Sequence, residues 1–346
     1  MIAYQTAAPG AALVKVESAT PEPKGTEVLI QTVACGVCHS DIHLHDGVFD
    51  LGQDKKLEVG REGMVLGHEI FGEVVALGPE AEGVSVGDRR VVYPWIGCGD
   101  CSVCHRGEEH LCTPGRALGA VMPGGFSDHV IVPHPRYLLD KGDISDSLAA
   151  TYACSGLTAY SALKKLGELG KGDELVIIGA GGVGMMAIQI AISAFKIDPI
   201  VVDIDESKLT AARELGVSRT YDSSDRQTSK EIRKLTGGVF AVIDFVGAES
   251  SVNYGLSTLR KGGTIVIVGL YGGVLSVPLP FIPMMARVIQ GSFVGTLAEM
   301  RELMELVKAG KVEPIQIQER PMSEAYEALV DLKAGKVSGR QVLMRA

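Results

Sequence analysis

The chain has 346 residues, 46% of them hydrophobic, 22% charged and 5% aromatic, with 43 glycines and a net charge of −9. This composition excludes a disordered or collagen-like chain and points to two globular domains; glycine far above the usual ~7%, without a three-residue period, calls for tight turns or close approach to a ligand. No run of lysine or arginine offers a nucleic-acid backbone a grip, and the opening MIAYQTAAPG lacks the basic start and apolar stretch of a secretory signal. The expected partners therefore include neither nucleic acid nor membrane, and the expected compartment is the cytoplasm.

Residues 1 to about 150 show short alternating stretches such as 27–32 and 73–77, punctuated by Gly, Pro and Asp, and read as mainly β. From about 172 the pattern changes. The runs ELVIIG, PIVVDI, FAVIDFV and TIVIVG read as strands, with helices to Phe195, through Leu215 and near 249–259 between them. Strand and helix in alternation predict an α/β unit with a doubly wound parallel sheet. The uncharged stretch from Leu175 to Phe195 is long enough to suggest a membrane span, but its glycines divide it into strand, turn and helix. Residues 288–294 add a last strand, 300–308 a helix, and the tail ends in a strand-like QVLM.

Seven cysteines, an odd number, argue against a disulfide framework. Cys98, Cys101, Cys104 and Cys112 stand as C-x2-C-x2-C-x7-C in a Gly-rich polar segment. Four thiolates brought together by short turns complete a tetrahedral shell, which describes a structural zinc site. An iron–sulfur run is the rival, but it has three residues before its last cysteine, followed by proline, where this chain has seven and then Thr113. His105 and His110 read as surface residues, since four ligands suffice.

Elsewhere, Cys38 begins CHSDIH, and thirty residues later GHE supplies His68 and Glu69, so a thiolate, an imidazole and a carboxylate are available. A hydrogen-bonded structural histidine explains His68 as well as a ligand does on spacing alone. Gly179, Gly181 and Gly184 form G-x-G-x-x-G directly after an apolar strand and before an apolar helix. The glycines let the backbone approach a pyrophosphate at the helix N-terminus. Asp203 ends the next strand, where a carboxylate accepts from both ribose hydroxyls; its charge repels a 2′-phosphate, which favours NAD over NADP. Val268 and Gly269 end a strand at the edge where the nicotinamide belongs, and Asp244 either lies near the cofactor or caps the next helix.

The motifs GVCHSDIH (36–43), GHE (67–69), the four-cysteine lobe, ACSGLTAY (153–160), GAGGVG (179–184) and GRQVL (339–343) together resemble the zinc-dependent medium-chain alcohol dehydrogenases. The resemblance implies a GroES-like catalytic domain at 1–154 with its zinc lobe at 95–113, a Rossmann domain at 155–292, and a return to the catalytic domain at 293–346. It implies two zinc ions per chain, the catalytic one on Cys38, His68 and Cys154, with a water or substrate oxygen in the fourth place. Glu69 matches the carboxylate that coordinates transiently, Asp41 the acid that orients the imidazole, and Ser40 and His43 the relay that carries the alcohol proton to solvent. His39 matches a residue facing the pyrophosphate, as does Arg340, with a surface arginine as the plainer reading.

The same resemblance assigns the NAD cradle to Gly179, Gly181, Gly182, Val183 and Gly184, and a ribose contact to Lys208, for which helix-surface solvation is equally good. Phe49, Trp95 and a residue near Val294 line the pocket or serve as core. Cys35 reads as a buried apolar residue, and His45 is an alternative base. One departure stands out: 47–63, with DLGQDKKLEVGREG, is longer and more charged than in compact members. The implied activity is reversible oxidation of primary or secondary alcohols to aldehydes or ketones, by hydride transfer to NAD from a zinc-bound alkoxide, in a homo-oligomer with a tetramer favoured over a dimer. A polyol or sugar dehydrogenase is the nearest alternative; retention of Cys154 and all four lobe cysteines favours simple alcohols. A zinc-dependent redox-sensing interaction module is the remote one.

Overall fold

Unbroken apolar runs of four to six residues become strands covered on both faces, and three of them build the centre of one sheet. The computed structural model describes residues 1–225 and 227–345. In it, Leu175–Ile178 is wholly buried, as are Ile200–Asp203 and nearly all of Val239–Asp244. Six strands lie in the order Arg219–Asp222, Ile200–Asp203, Leu175–Ile178, Val239–Asp244, Leu259–Ile267 and Val288–Gly291, and every neighbouring pair is parallel. Read along the chain, that order is 3-2-1-4-5-6, so the winding reverses between Leu175–Ile178 and Val239–Asp244. A doubly wound sheet opens a crevice at the carboxyl ends of its strands at this reversal.

The turn after Leu175–Ile178 leads into the helix Gly182–Ser193, whose N-cap is Gly181. Gly179 has φ 90°, and a Cβ on Gly184 would fall 1.8 Å from the Gly179 carbonyl oxygen. Only glycine permits this packing of helix start on strand end. The strand Arg219–Asp222 and the helix Gln227–Thr236 carried no legible sequence signal, because the strand is half-exposed and the helix buries only Ser229 and Ile232. The last strand stops at Gly291 rather than running to 294, since Val294 takes φ 41°, outside the β region.

The second sheet has seven strands. Ile317–Pro321, Arg340–Met344, Val28–Gly36, Glu69–Leu77, Arg89–Val92 and Leu138–Leu139 follow in order, and His129–Val132 also pairs with Val28–Gly36. The C-terminal strand Arg340–Met344 runs antiparallel to the end of Val28–Gly36, which brings Arg340 to the strand ends carrying Gly36 and Glu69. Two small hairpins, Ile2–Thr6 with Leu13–Glu17 and Val48–Gly52 with Lys55–Glu58, flank this sheet. The cysteine lobe is tied to it by buried Glu109, which accepts from the Tyr137 hydroxyl at 2.6 Å, the Gly97 amide at 3.2 Å and Arg136 at 3.0 Å. Among the described residues, no helix is long and apolar enough to cross a membrane.

Gly184→Ala tests the turn. The added methyl has no space to enter, so a loss of about 1–3 kcal/mol of stability is expected from urea unfolding, with the midpoint lowered and the slope unchanged.

Candidate active site

Three separate segments deliver three donors to one point. Cys38 is the N-cap of the short helix His39–Asp46, His68 precedes the strand Glu69–Leu77, and Cys154 lies in a single π-helical turn, Tyr152–Gly156. That turn is inserted between the helices Asp146–Thr151 and Leu157–Lys164, a distortion that recurs where a helix must aim a functional side chain. The ligand atoms of Cys38, His68 and Cys154 lie within 4.8 Å of one another, and all three residues are buried. Cys98, Cys101, Cys104 and Cys112 form a second such group, half-buried in the lobe.

Asp41 organises the first group. Its carboxylate is fully buried and accepts from the Cys38 amide at 2.9 Å and the Gly67 amide at 3.2 Å. It also pairs with His68 Nδ1 at 3.2 Å, which orients the ring with Nε2 on the side of the Ser40 hydroxyl. Burial pulls the His68 imidazole down, but the adjacent Asp41 charge and its hydrogen bond outweigh burial and hold the pKa well above the ordinary value. The contact with Cys154 holds the Cys38 thiol well below its ordinary pKa, while the same contact and burial hold Cys154 well above it. The Ser40 hydroxyl donates to Cys38 Sγ at 3.1 Å and lies 3.5 Å from His68 Nε2.

Glu69 does not turn toward open space. One oxygen accepts from the Ser155 amide at 3.1 Å and the other from Arg340 at 2.5 Å, both partners being buried. Burial raises the Glu69 carboxyl to about 7, against the pull of the Arg340 guanidinium. Arg340 reaches further: a Cβ on Gly182 would lie 2.5 Å from Arg340 Cδ, so the guanidinium stem passes beside the start of the glycine-rich helix, and its Nε has no hydrogen-bond partner among the described residues. Arg340 therefore spans the space between the donor cluster and the helix N-terminus. It is a buried residue, not a surface one.

Asp203, 7% exposed, accepts from the Ala180 amide at 2.7 Å and the Asp205 amide at 3.0 Å, closing the strand ends around the glycine turn. Val183 is half-buried behind the helix start. Lys208 sits on the helix Glu206–Glu214, 3.9 Å from Asp205. The Val268 and Gly269 amides both donate to the Asp244 carbonyl. The Asp244 side chain accepts from the Val246 amide and the Ser251 hydroxyl, so it secures the next helix start, the second of its two readings.

Among the histidines, His39 is exposed and meets the His43 ring edge-on at 5.4 Å, and His43 stacks on Phe49 at 4.5 Å. Burial lowers the His43 pKa, with His39 adding to the effect, so the ring is neutral near pH 7 and able to accept a proton. His45 instead donates from Nε2 to the Ala11 carbonyl at 2.7 Å and lies against Tyr326, which makes it a packing residue. Trp95 donates to the Ala153 carbonyl and tilts over the His68 ring at 5.3 Å. The ring facing Trp95 from just beyond the last parallel strand is Phe293, at 5.9 Å and 49% exposed; Val294, one residue on, is buried. An exposed aromatic beside an irregular strand end was the only signal that could have singled out Phe293.

A GroES-like β unit, a doubly wound parallel sheet and a cluster of two cysteines and a histidine between them define a zinc-binding dehydrogenase. Residues 24–143 match the model of the alcohol dehydrogenase GroES-like domain, and 182–309 that of the zinc-binding dehydrogenase. The chain is 40% identical over 334 residues to an NAD-dependent alcohol dehydrogenase of Sulfurisphaera tokodaii, covering 94% of each. It is 39% identical to one of Saccharolobus solfataricus, covering 95% of each. The crystal structure of the alcohol dehydrogenase from the hyperthermophilic archaeon Aeropyrum pernix superimposes with a TM-score of 0.88 at 30% identity, over 99% of this chain and all of that one. The chain belongs to the zinc-dependent medium-chain alcohol dehydrogenase family.

Arg340→Met leaves the buried Glu69 carboxylate without its countercharge, and a loss of about 3–5 kcal/mol is expected in urea unfolding. Restoring most of that stability with Glu69→Gln in the same chain would assign the loss to the ion pair.

Proposed function

We propose a route by which this zinc- and NAD-dependent alcohol dehydrogenase oxidises primary or secondary alcohols to aldehydes or ketones, and reverses the step. The observation that carries it is the meeting of Cys38, His68 and Cys154, with the Ser40 hydroxyl against two of them. Two thiols and an imidazole whose other nitrogen is committed to Asp41 make a soft, three-donor set of the catalytic zinc type, and the four lobe cysteines make a closed structural one. Each chain then holds two zinc ions. When bound, zinc supplies the Lewis acidity that makes an alcohol proton easy to lose, and NAD accepts the hydride.

The chain's own residues do the rest. Ser40 takes the alcohol proton and passes it to His43, one turn further along the same helix, which releases it to solvent. Asp41 holds the His68 ring in register, and Glu69 stands by with Arg340 as a carboxylate able to exchange ligands. The Gly179–Gly184 turn and Arg340 receive the pyrophosphate, with His39 facing it from the catalytic side. Asp203 accepts the ribose hydroxyls, Lys208 lies beside it, and the backbone at Val268 and Gly269 borders the nicotinamide. Trp95, Phe49 and Phe293 wall the substrate.

Sheet membership supports a division into a catalytic unit at 1–154, a dinucleotide unit at 155–292 and a returning segment at 293–346. Exposed Leu279, Phe281, Met284 and Val288, beside the open edge strand of the parallel sheet, support self-association, and we favour a tetramer. Seven free cysteines suit the reducing cytoplasm.

Zinc content and turnover test this reading together. Wild-type chain is expected to hold two zinc ions and to give alcohol-dependent NADH absorbance, with monoalcohols preferred to sorbitol. Cys38→Ser should hold one ion and lose turnover while still binding NADH by fluorescence titration. Cys101→Ser should instead lower the melting temperature. A fully stable Cys101→Ser chain, or a Cys38→Ser chain that still turns over, contradicts the division of the two sites. Light scattering should give four times the 36.5 kDa chain mass.

A further inference from the structure

The charged insertion between the relay and His68 folds as a hairpin with almost nothing beneath it. Helix His39–Asp46 stops at Gly47, and the chain turns at once into Val48–Gly52 paired with Lys55–Glu58. Its tip carries Gln53 and Asp54 at φ 53° and 61°, the paired left-handed conformation of a tight two-residue turn. Leu51 and Leu57 are each about half exposed, and Lys55–Glu58 is exposed throughout. A two-stranded ribbon is marginal in water by itself, so its position depends on what it touches.

It touches two things. The Phe49 ring stacks on His43, with centroids 4.5 Å apart and planes at 29°. At the other end the backbones of Asp50–Gly52 and Gly272–Gly273 are in direct contact. A Cβ on Gly52 would lie 2.7 Å from the Gly273 carbonyl carbon, and one on Gly272 would lie 2.7 Å from the Asp50 carbonyl oxygen. Gly272 and Gly273 stand in the loop that continues from Val268 and Gly269 at the carboxyl edge of the parallel sheet. The hairpin is thus clasped by the dinucleotide unit and itself holds a ring of the catalytic unit.

We propose that the hairpin Val48–Glu58 is the positioning element of the His43 imidazole: Phe49 holds the ring, and the Gly272–Gly273 loop holds the hairpin, so the dinucleotide unit sets the geometry of the proton relay. This rests on His43 being that relay. Phe49 is then a positioning residue acting through His43, with the pocket wall as its lesser role. The insertion is long because it must span from the relay helix to the loop beyond the nicotinamide edge.

The test is a double-mutant cycle on the full chain with zinc bound, read as the single-turnover rate of NADH formation from a saturating monoalcohol, with NADH affinity by fluorescence. Phe49→Leu is expected to slow the rate on the order of tenfold, with NADH affinity kept and Phe49→Tyr restoring the rate. In a His43→Asn background the same change should have an effect below about twofold, because the ring it positions is gone. Gly52→Ala, which forces the hairpin off the Gly273 backbone, should reproduce the pattern without altering Phe49. Equal losses from Phe49→Leu in both backgrounds overturn the proposal while leaving the relay intact. A His43→Asn chain that reacts at the wild-type rate overturns the relay itself, and this proposal with it.

Discussion

Two sulfurs and an imidazole nitrogen held within 4.8 Å inside the protein constrain everything around them. One fully buried carboxylate orients the imidazole, and three soft donor atoms converge on a point closed off from solvent, the arrangement that suits a soft cation. Asp41 is where the chain invests in this arrangement. It caps the helix bearing Ser40 and His43, steadies the turn before His68 and orients the His68 ring, so one fully buried carboxylate aligns the donor, the helix and the relay together.

A second buried charge pair, within the seven-stranded sheet, reaches the parallel-sheet unit. Arg340, delivered by the C-terminal strand, joins the carboxylate beside the donor cluster to the start of the glycine-rich helix. A guanidinium there serves both neighbours: it compensates Glu69, and it adds positive charge where exposed amides already favour an anion. The chain's return to the seven-stranded sheet has this consequence for the site, since without the pairing of Arg340–Met344 with Val28–Gly36 neither contact would exist.

What could be read in advance was what is local in sequence. The four lobe cysteines lie within fifteen residues, so their spacing pointed to a metal site, and the glycine turn was legible only through the apolar strand and helix on either side of it. The α/β alternation was legible because buried parallel strands are nearly all apolar; Arg219–Asp222 and Gln227–Thr236 were not, because one is half-exposed and the other buries two side chains. Cys154 had no local signal, and only the resemblance joined it to Cys38 and His68; the π-helical turn that aims it is invisible in a run of small residues. Glu109 under the cysteine lobe and Phe293 opposite Trp95 were missed for the same reason, as contacts between distant segments. The placement of the 47–63 insertion likewise depends on glycines more than two hundred residues away.

Anomalous diffraction at the zinc edge from crystals of the purified chain tests the central claim most directly. The account predicts two peaks, one enclosed by Cys98, Cys101, Cys104 and Cys112 and one at about 2.0–2.3 Å from Cys38 Sγ, His68 Nε2 and Cys154 Sγ with a side left for an oxygen. A single peak in the lobe, or a second ion closed by four protein ligands, would contradict it.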